Sequence, residues 1–225
     1  MTAVKEFGSG PLSRASAFIY TLIVVEVMLV VASLPGLVPL VFVVAAGADL
    51  TLVFACAIPI GPALSAAIYA LRHRSGDLAD LRPARQFWRG YRLNLRAVAP
   101  VWLIGLFWLF MVGLTLLNFG ASGMPAWWVV VLGLVGVLAV LWLTNALVVT
   151  SLFDFRPLDA IRLAWELIPR QPLVALGNAS VLLGAGLLAA LTNEILVGVL
   201  ASVVVTVLLR ISRPMIDFVT RGYTE

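Results

Sequence analysis

The sequence predicts an all-α polytopic membrane bundle: about six transmembrane helices, both termini cytoplasmic, and two amphipathic cytoplasmic loop helices, all in one membrane domain over 1–225. Three observations carry that prediction. Of the 225 residues, 62% are hydrophobic and only 12% are charged, whereas soluble domains carry roughly 25% charged residues. Mean hydropathy is +1.08, and the apolar residues fall in runs of membrane-crossing length, about 20 residues each. All fifteen Lys and Arg residues lie in 1–14, 72–97, 151–172 and 210–225, on alternate connections. A soluble fold of this composition would expose large apolar patches and aggregate. Soluble enzymes, nucleic-acid binders and disordered tails are therefore excluded, and the pI of 9.8 reports orientation, not an acidic partner.

The first span is expected at about 15–34, after Lys5 and Arg14. It is too long for the apolar core of a signal peptide and is read as retained. Pro35 and Gly36, followed by Pro39, should break it, leaving 35–50 re-entrant or loosely helical on the outer side. The second span, about 50–71, contains Pro59, Gly61 and Pro62 and should be kinked or broken there. Further spans are expected at about 98–118, 127–150, 173–192 and 195–211, with turns at Asn118-Phe119-Gly120 and Thr192-Asn193-Glu194. The outer connections carry only Asp49 and Glu194, so the basic bias is complete and both termini face inward. Trp127 and Trp128 fall at the outer interface, Trp88 and Trp165 at the inner one.

Of the two cytoplasmic loops, 72–97 is the more informative. Arg85, Arg89, Arg92 and Arg96 repeat at helical spacing, with Phe87, Trp88, Tyr91 and Leu95 on the other side and Pro83 at the first turn. A cationic face opposite an aromatic one describes a helix lying among anionic inner-leaflet headgroups. The same helix would equally serve to dock a cytoplasmic protein. In 151–172, Pro157 opens a helix with an apolar stripe of Leu158, Ile161, Trp165 and Ile168. Asp159, Arg162, Glu166 and Arg170 form its polar side, spaced for ion pairs. A shift of 74 residues aligns Arg82-Pro83 and Arg96 with Arg156-Pro157 and Arg170, a weak sign of a duplicated hairpin in which Arg92 would face Glu166.

Chemistry-bearing constellations are sparse. No Walker A, G-x-S-x-G or H-E-x-x-H motif occurs, so no catalytic residue, cofactor or metal site is assigned. The sole histidine, His73, stands between Arg72 and Arg74, and the sole cysteine, Cys56, has no mate. Glu26, in mid-span, is the one intramembrane acid; such a group costs roughly 2.5–3.5 kcal/mol on insertion scales. Two readings stand open: a proton or substrate site, or a hydrogen-bonded packing residue with Asn145 or Thr144 as donor.

Leu34-Pro35-Gly36, the run Ile60-Gly61-Pro62-Ala63-Leu64-Ser65-Ala66-Ala67-Ile68-Tyr69-Ala70-Leu71, and Phe87-Trp88-Arg89-Gly90-Tyr91 together resemble the YesL-like bacterial membrane proteins. The likeness covers about 15–105, and the long insert 37–57 resembles actinobacterial members. That family has no established function or catalytic residues; its members are often encoded beside sugar ABC importers. The resemblance implies a non-enzymatic accessory protein of carbohydrate uptake in the cell membrane, docking ABC transporter subunits through its loops. A small transporter using Glu26, and a lipid-binding organiser of the membrane, are the alternatives.

Overall fold

The computed structural model describes residues 11–47, 49–74, 82–191 and 200–223. Among these the chain is helical and contains no strand. The helices are α1 (Pro11–Ala45), α2 (Leu50–Cys56), α3 (Ile60–Arg72), α4 (Pro83–Leu117), α5 (Trp127–Leu152), α6 (Pro157–Arg170), α7 (Pro172–Leu191), α8 (Ala201–Ile211) and α9 (Arg213–Tyr223). A short 3-10 turn, Phe119–Ala121, links α4 to α5.

Four helical segments are long and apolar enough to cross a membrane: α1, α2 with α3, α4 and α5. The pair α6 and α7, bent by 100° at Gln171, supplies a fifth by length and composition. The expected sixth span begins at 195, outside the described residues; its remainder, α8, is a shorter apolar helix. Large apolar side chains such as Ile23, Phe107, Leu134 and Leu187 are exposed around the bundle. A bundle surrounded by lipid needs no polar coat, and that is the surface seen.

The alanine-rich helix α3 occupies the centre, packed by α1, α4, α5 and α8. Ala63, Ala66, Ala67 and Ala70 are fully buried. In lipid, helices associate by close backbone packing, and small side chains permit it. The G-P-A-L-S-A-A-I-Y-A run is thus the hub of the fold. On α4 the buried residues are Pro83, Phe87, Gly90, Val98, Val101, Gly105 and Leu106; with half-buried Asn94, Pro83 to Gly105 recur at spacings of three and four, and Gly105 meets Leu143 of α5. Gly90 meets Tyr69 of α3 so closely that a Cβ there would lie 2.7 Å from the Tyr69 Cβ.

Two expectations are corrected. Pro35, Gly36 and Pro39 do not break the first helix: α1 continues to Ala45. Residues 36–45 carry no charge, and in hydrocarbon the backbone has no partner outside a helix, so the helix persists through its prolines. Gly36 also holds α1 against the Cys56 carbonyl and the Pro59 ring, where a side chain would not fit. The inner stripe 83–96 is no separate loop helix, because α4 runs unbroken from Pro83 to Leu117 with Pro100 inside it. Residues 213–223, within the inner segment 210–225, form α9, with Met215, Ile216 and Val219 buried.

The break expected near Pro59 is present, between Cys56 and Ile60. Trp102 Nε1 donates to the Ala57 carbonyl across 3.0 Å, beside the Ile60 N–H that the same carbonyl accepts at 3.2 Å, and so ties α4 to the break.

Candidate functional site

Contacts gather the basic connections at one end of the bundle. Asn94 on α4 donates to Ser65 Oγ on α3 (3.2 Å) and to the Ser151 carbonyl on α5 (3.0 Å). The Ser65 and Ser151 hydroxyl oxygens, 2.8 Å apart, close the triangle with a hydrogen bond between them. Asn94 is therefore level with the end of α5. The stretch from Pro83 to Asn94 reaches about 16 Å past it, at 1.5 Å per residue. Arg85, Arg89 and Arg92 stand on this projection and Arg96 follows just after Asn94; all four are exposed. No ion pair involves them among the described residues.

The aromatic side predicted for this stretch divides in two. Phe87 is fully buried and Tyr91 half-buried against the core, whereas Trp88 is 41% exposed and edge-on to Tyr91 at 5.6 Å. Leu93 and Leu95 are also exposed. The outer face is thus arginine with tryptophan and leucine, and the inner face is structural.

Helix α6 carries three faces where two were expected. Its buried face is Ala160, Leu163, Ala164 and Leu167, not the Leu158 stripe. Leu158 and Trp165 are exposed and Ile161 and Ile168 half-buried. Asp159, Arg162, Glu166 and Arg170 are exposed along the third side. The sharp bend into α7 turns α6 away from the spanning direction, and Trp165 stacks on Trp142 of α5 at 6.2 Å. Glu166 pairs with Arg170 on its own helix at 3.3 Å and not with Arg92. Both Arg82-Pro83 and Arg156-Pro157 do open helices. The two units then diverge: α4 passes straight through Pro100, while Gln171-Pro172 bends the second.

Glu26 lies between α1 and α8. Its Oε2 accepts the backbone N–H of Ser202, in the first turn of α8, at 2.7 Å, and its Oε1 is buried without a partner among the described residues. The expected donors are engaged elsewhere: Thr144 donates to the Val140 carbonyl, and Asn145 Oδ1 faces Asn178 Nδ2 at 3.5 Å. The same Asn178 amide reaches Ser212 Oγ at 3.4 Å, joining α5, α7 and the α8–α9 joint.

His73 stacks on Tyr69 with ring centroids 4.2 Å apart, and its Nδ1 lies 3.0 Å from the Tyr69 carbonyl. Cys56 is a free, buried thiol. Among the described residues no three His, Cys, Asp or Glu side chains converge as a metal site would require.

Sequence reasoning overlooked the polar contacts of Asn94, Ser65 and Ser151. A polar residue recurring in the buried register of an otherwise apolar helix was the available signal. Neither protein-family models, curated proteins nor solved structures give a match to this chain. The resemblance to YesL-like proteins therefore rests on the residue runs quoted above.

Proposed function

We propose that this multi-pass membrane protein is a non-enzymatic accessory subunit that docks a partner through the projecting end of α4 and the polar side of α6. The observation that carries the reading is the continuity of α4. A 35-residue helix is about 52 Å long, against a hydrocarbon thickness of about 30 Å. Its basic end extends beyond the end of α5 instead of folding back as a separate surface helix. Exposed arginine beside exposed tryptophan is the pairing that supplies anchor residues in protein interfaces. Its charge suits an acidic partner surface.

A carbohydrate ABC importer is the partner class suggested by the YesL-like resemblance, and the cell membrane is the compartment it implies. Helix α6 favours a second reading, contact with the lipid headgroup boundary. Its exposed Leu158 and Trp165 and its charged side fit the headgroup boundary.

The test is purification from the native host in mild detergent, with quantitative mass spectrometry of accompanying proteins. Wild type should retain stoichiometric permease or nucleotide-binding subunits of an importer. The triple variant Arg85→Glu, Arg89→Glu, Arg92→Glu should lose them with an unchanged melting temperature. A lone, monodisperse wild-type protein would overturn the docking reading.

A further inference from the structure

A second cationic feature lies apart from the α4 stripe. A cavity of about 180 Å³ opens where the end of α3, the last turns of α8 and the start of α9 meet. Arg72, Arg74, Arg210 and Arg213 line it, with Asp217 as the only acid among the lining residues. The lining therefore carries an excess of three positive charges, and none of these arginines is in an ion pair among the described residues. Leu71, Leu209 and Ile216 make the apolar part of the wall.

Like charges are not brought together without a reason. Arginines that only mark the cytoplasmic side need merely reach water, each by its own path. Here three helix ends carry four guanidinium groups to one concavity. Arg74 is held in place on the far side by the Phe18 ring of α1, 4.6 Å from its guanidinium carbon to the ring centroid. Partial burial, and after it the charges of Arg210 and Arg213, pull the Arg74 guanidinium below its ordinary value. All four arginines are exposed at the mouth of one concavity, where an anion would be met by several guanidinium groups at once.

Geometry narrows the anion. Guanidinium groups match the oxygens of phosphate in paired hydrogen bonds. The cavity is smaller than the roughly 300–1,000 Å³ of ordinary small-molecule pockets, so it takes a headgroup-sized anion. Basic pockets between spanning helices at the cytoplasmic face are a recurrent form of phospholipid headgroup site.

We propose that the cavity framed by Arg72, Arg74, Arg210 and Arg213 is a binding site for a phosphate group, carried either by an anionic phospholipid or by a small soluble phosphate. The site is independent of the docking surface on α4.

The test uses the full chain purified in detergent, with two probes: phosphatidylglycerol, read by native mass spectrometry, and inorganic phosphate, read by calorimetry. Wild type should bind one of them with defined stoichiometry. Binding of phosphatidylglycerol identifies the lipid source, and binding of phosphate alone the soluble one. The double variant Arg74→Gln, Arg210→Gln should lose roughly thirtyfold in affinity. A control of equal charge change on the stripe, Arg85→Gln, Arg89→Gln, should keep wild-type binding. Asp217→Asn, which removes the opposing charge at an exposed position, should bind more tightly and does not depend on how the arginine variants fold. Equal losses in the two double variants would overturn the proposal, since only overall charge would then matter. Binding of neither probe would overturn it as well.

Discussion

The carboxylate of Glu26 accepts the backbone N–H of Ser202 at 2.7 Å, across 176 residues of sequence. Ser202 opens α8, where backbone donors have no helical acceptor. An acid at that point satisfies a donor and complements the positive end of the helix dipole. In the apolar middle of a bundle this converts a costly side chain into a tie between α1 and α8.

Glu26→Gln keeps a carbonyl oxygen for that N–H and should change stability by less than about 1 kcal/mol, whereas Glu26→Ala should cost about 1–2 kcal/mol. Ser202→Ala, which leaves the backbone donor in place, is the control. Thermal unfolding in one detergent compares the three. A neutral Glu26→Ala would show that the contact does not hold α8.

The Asn94 amide is shared between α3 and α5, and both acceptors lie in the protein interior. Asn94→Leu should cost about 1–3 kcal/mol by leaving the Ser151 carbonyl and the two serine hydroxyls to one another. Ser65→Ala should cost less, because Ser151 Oγ donates to the Leu147 carbonyl. The reverse order, measured by denaturant or heat, would contradict the network.

Gly90 and Gly184 differ in what surrounds them. A methyl group at Gly90 would press on Tyr69, while nothing lies within 4 Å of one at Gly184. Gly90→Ala should destabilise by about 1–3 kcal/mol through overpacking. Gly184→Ala should be neutral or stabilising, since alanine favours the helix by up to about 1 kcal/mol. Similar melting temperatures for the two variants would refute the close α3–α4 approach.

Topology is open to a direct test, because the native thiol, Cys56, is buried. In a Cys56→Ala background, Ser122→Cys on the turn after α4 should react with an impermeant maleimide on intact cells. Asp154→Cys, in the turn between α5 and α6, should react only once the membrane is opened. Both positions are exposed, so the difference reports sidedness alone. Labelling in the opposite order would invert the orientation drawn from the arginines.

The spans were legible because composition and length are decided locally. An apolar run of about 20 residues has one low-energy state in lipid, with every backbone group bonded inside its own helix. The expected 127–150 emerges as Trp127–Leu152, and 173–192 as Pro172–Leu191. The Pro59 break was legible for the same reason. The identical local rule failed at Pro35 and Pro39, where the absence of water and the fit of Gly36 against Cys56 and Pro59 outweigh two lost hydrogen bonds.

By itself, then, the sequence determined the solvent in which this chain folds, the length of most of its crossings and the side on which its arginines gather. Those follow from transfer free energies, which add residue by residue. Tertiary structure alone decided that Glu26 meets α8, that Asn94 meets Ser65 and Ser151, and that Arg74 shares a cavity with Arg210 and Arg213. Each of those depends on which face of one helix meets which face of another. In lipid that choice rests on small-residue fit and a few polar contacts, and no periodicity within a single helix encodes it.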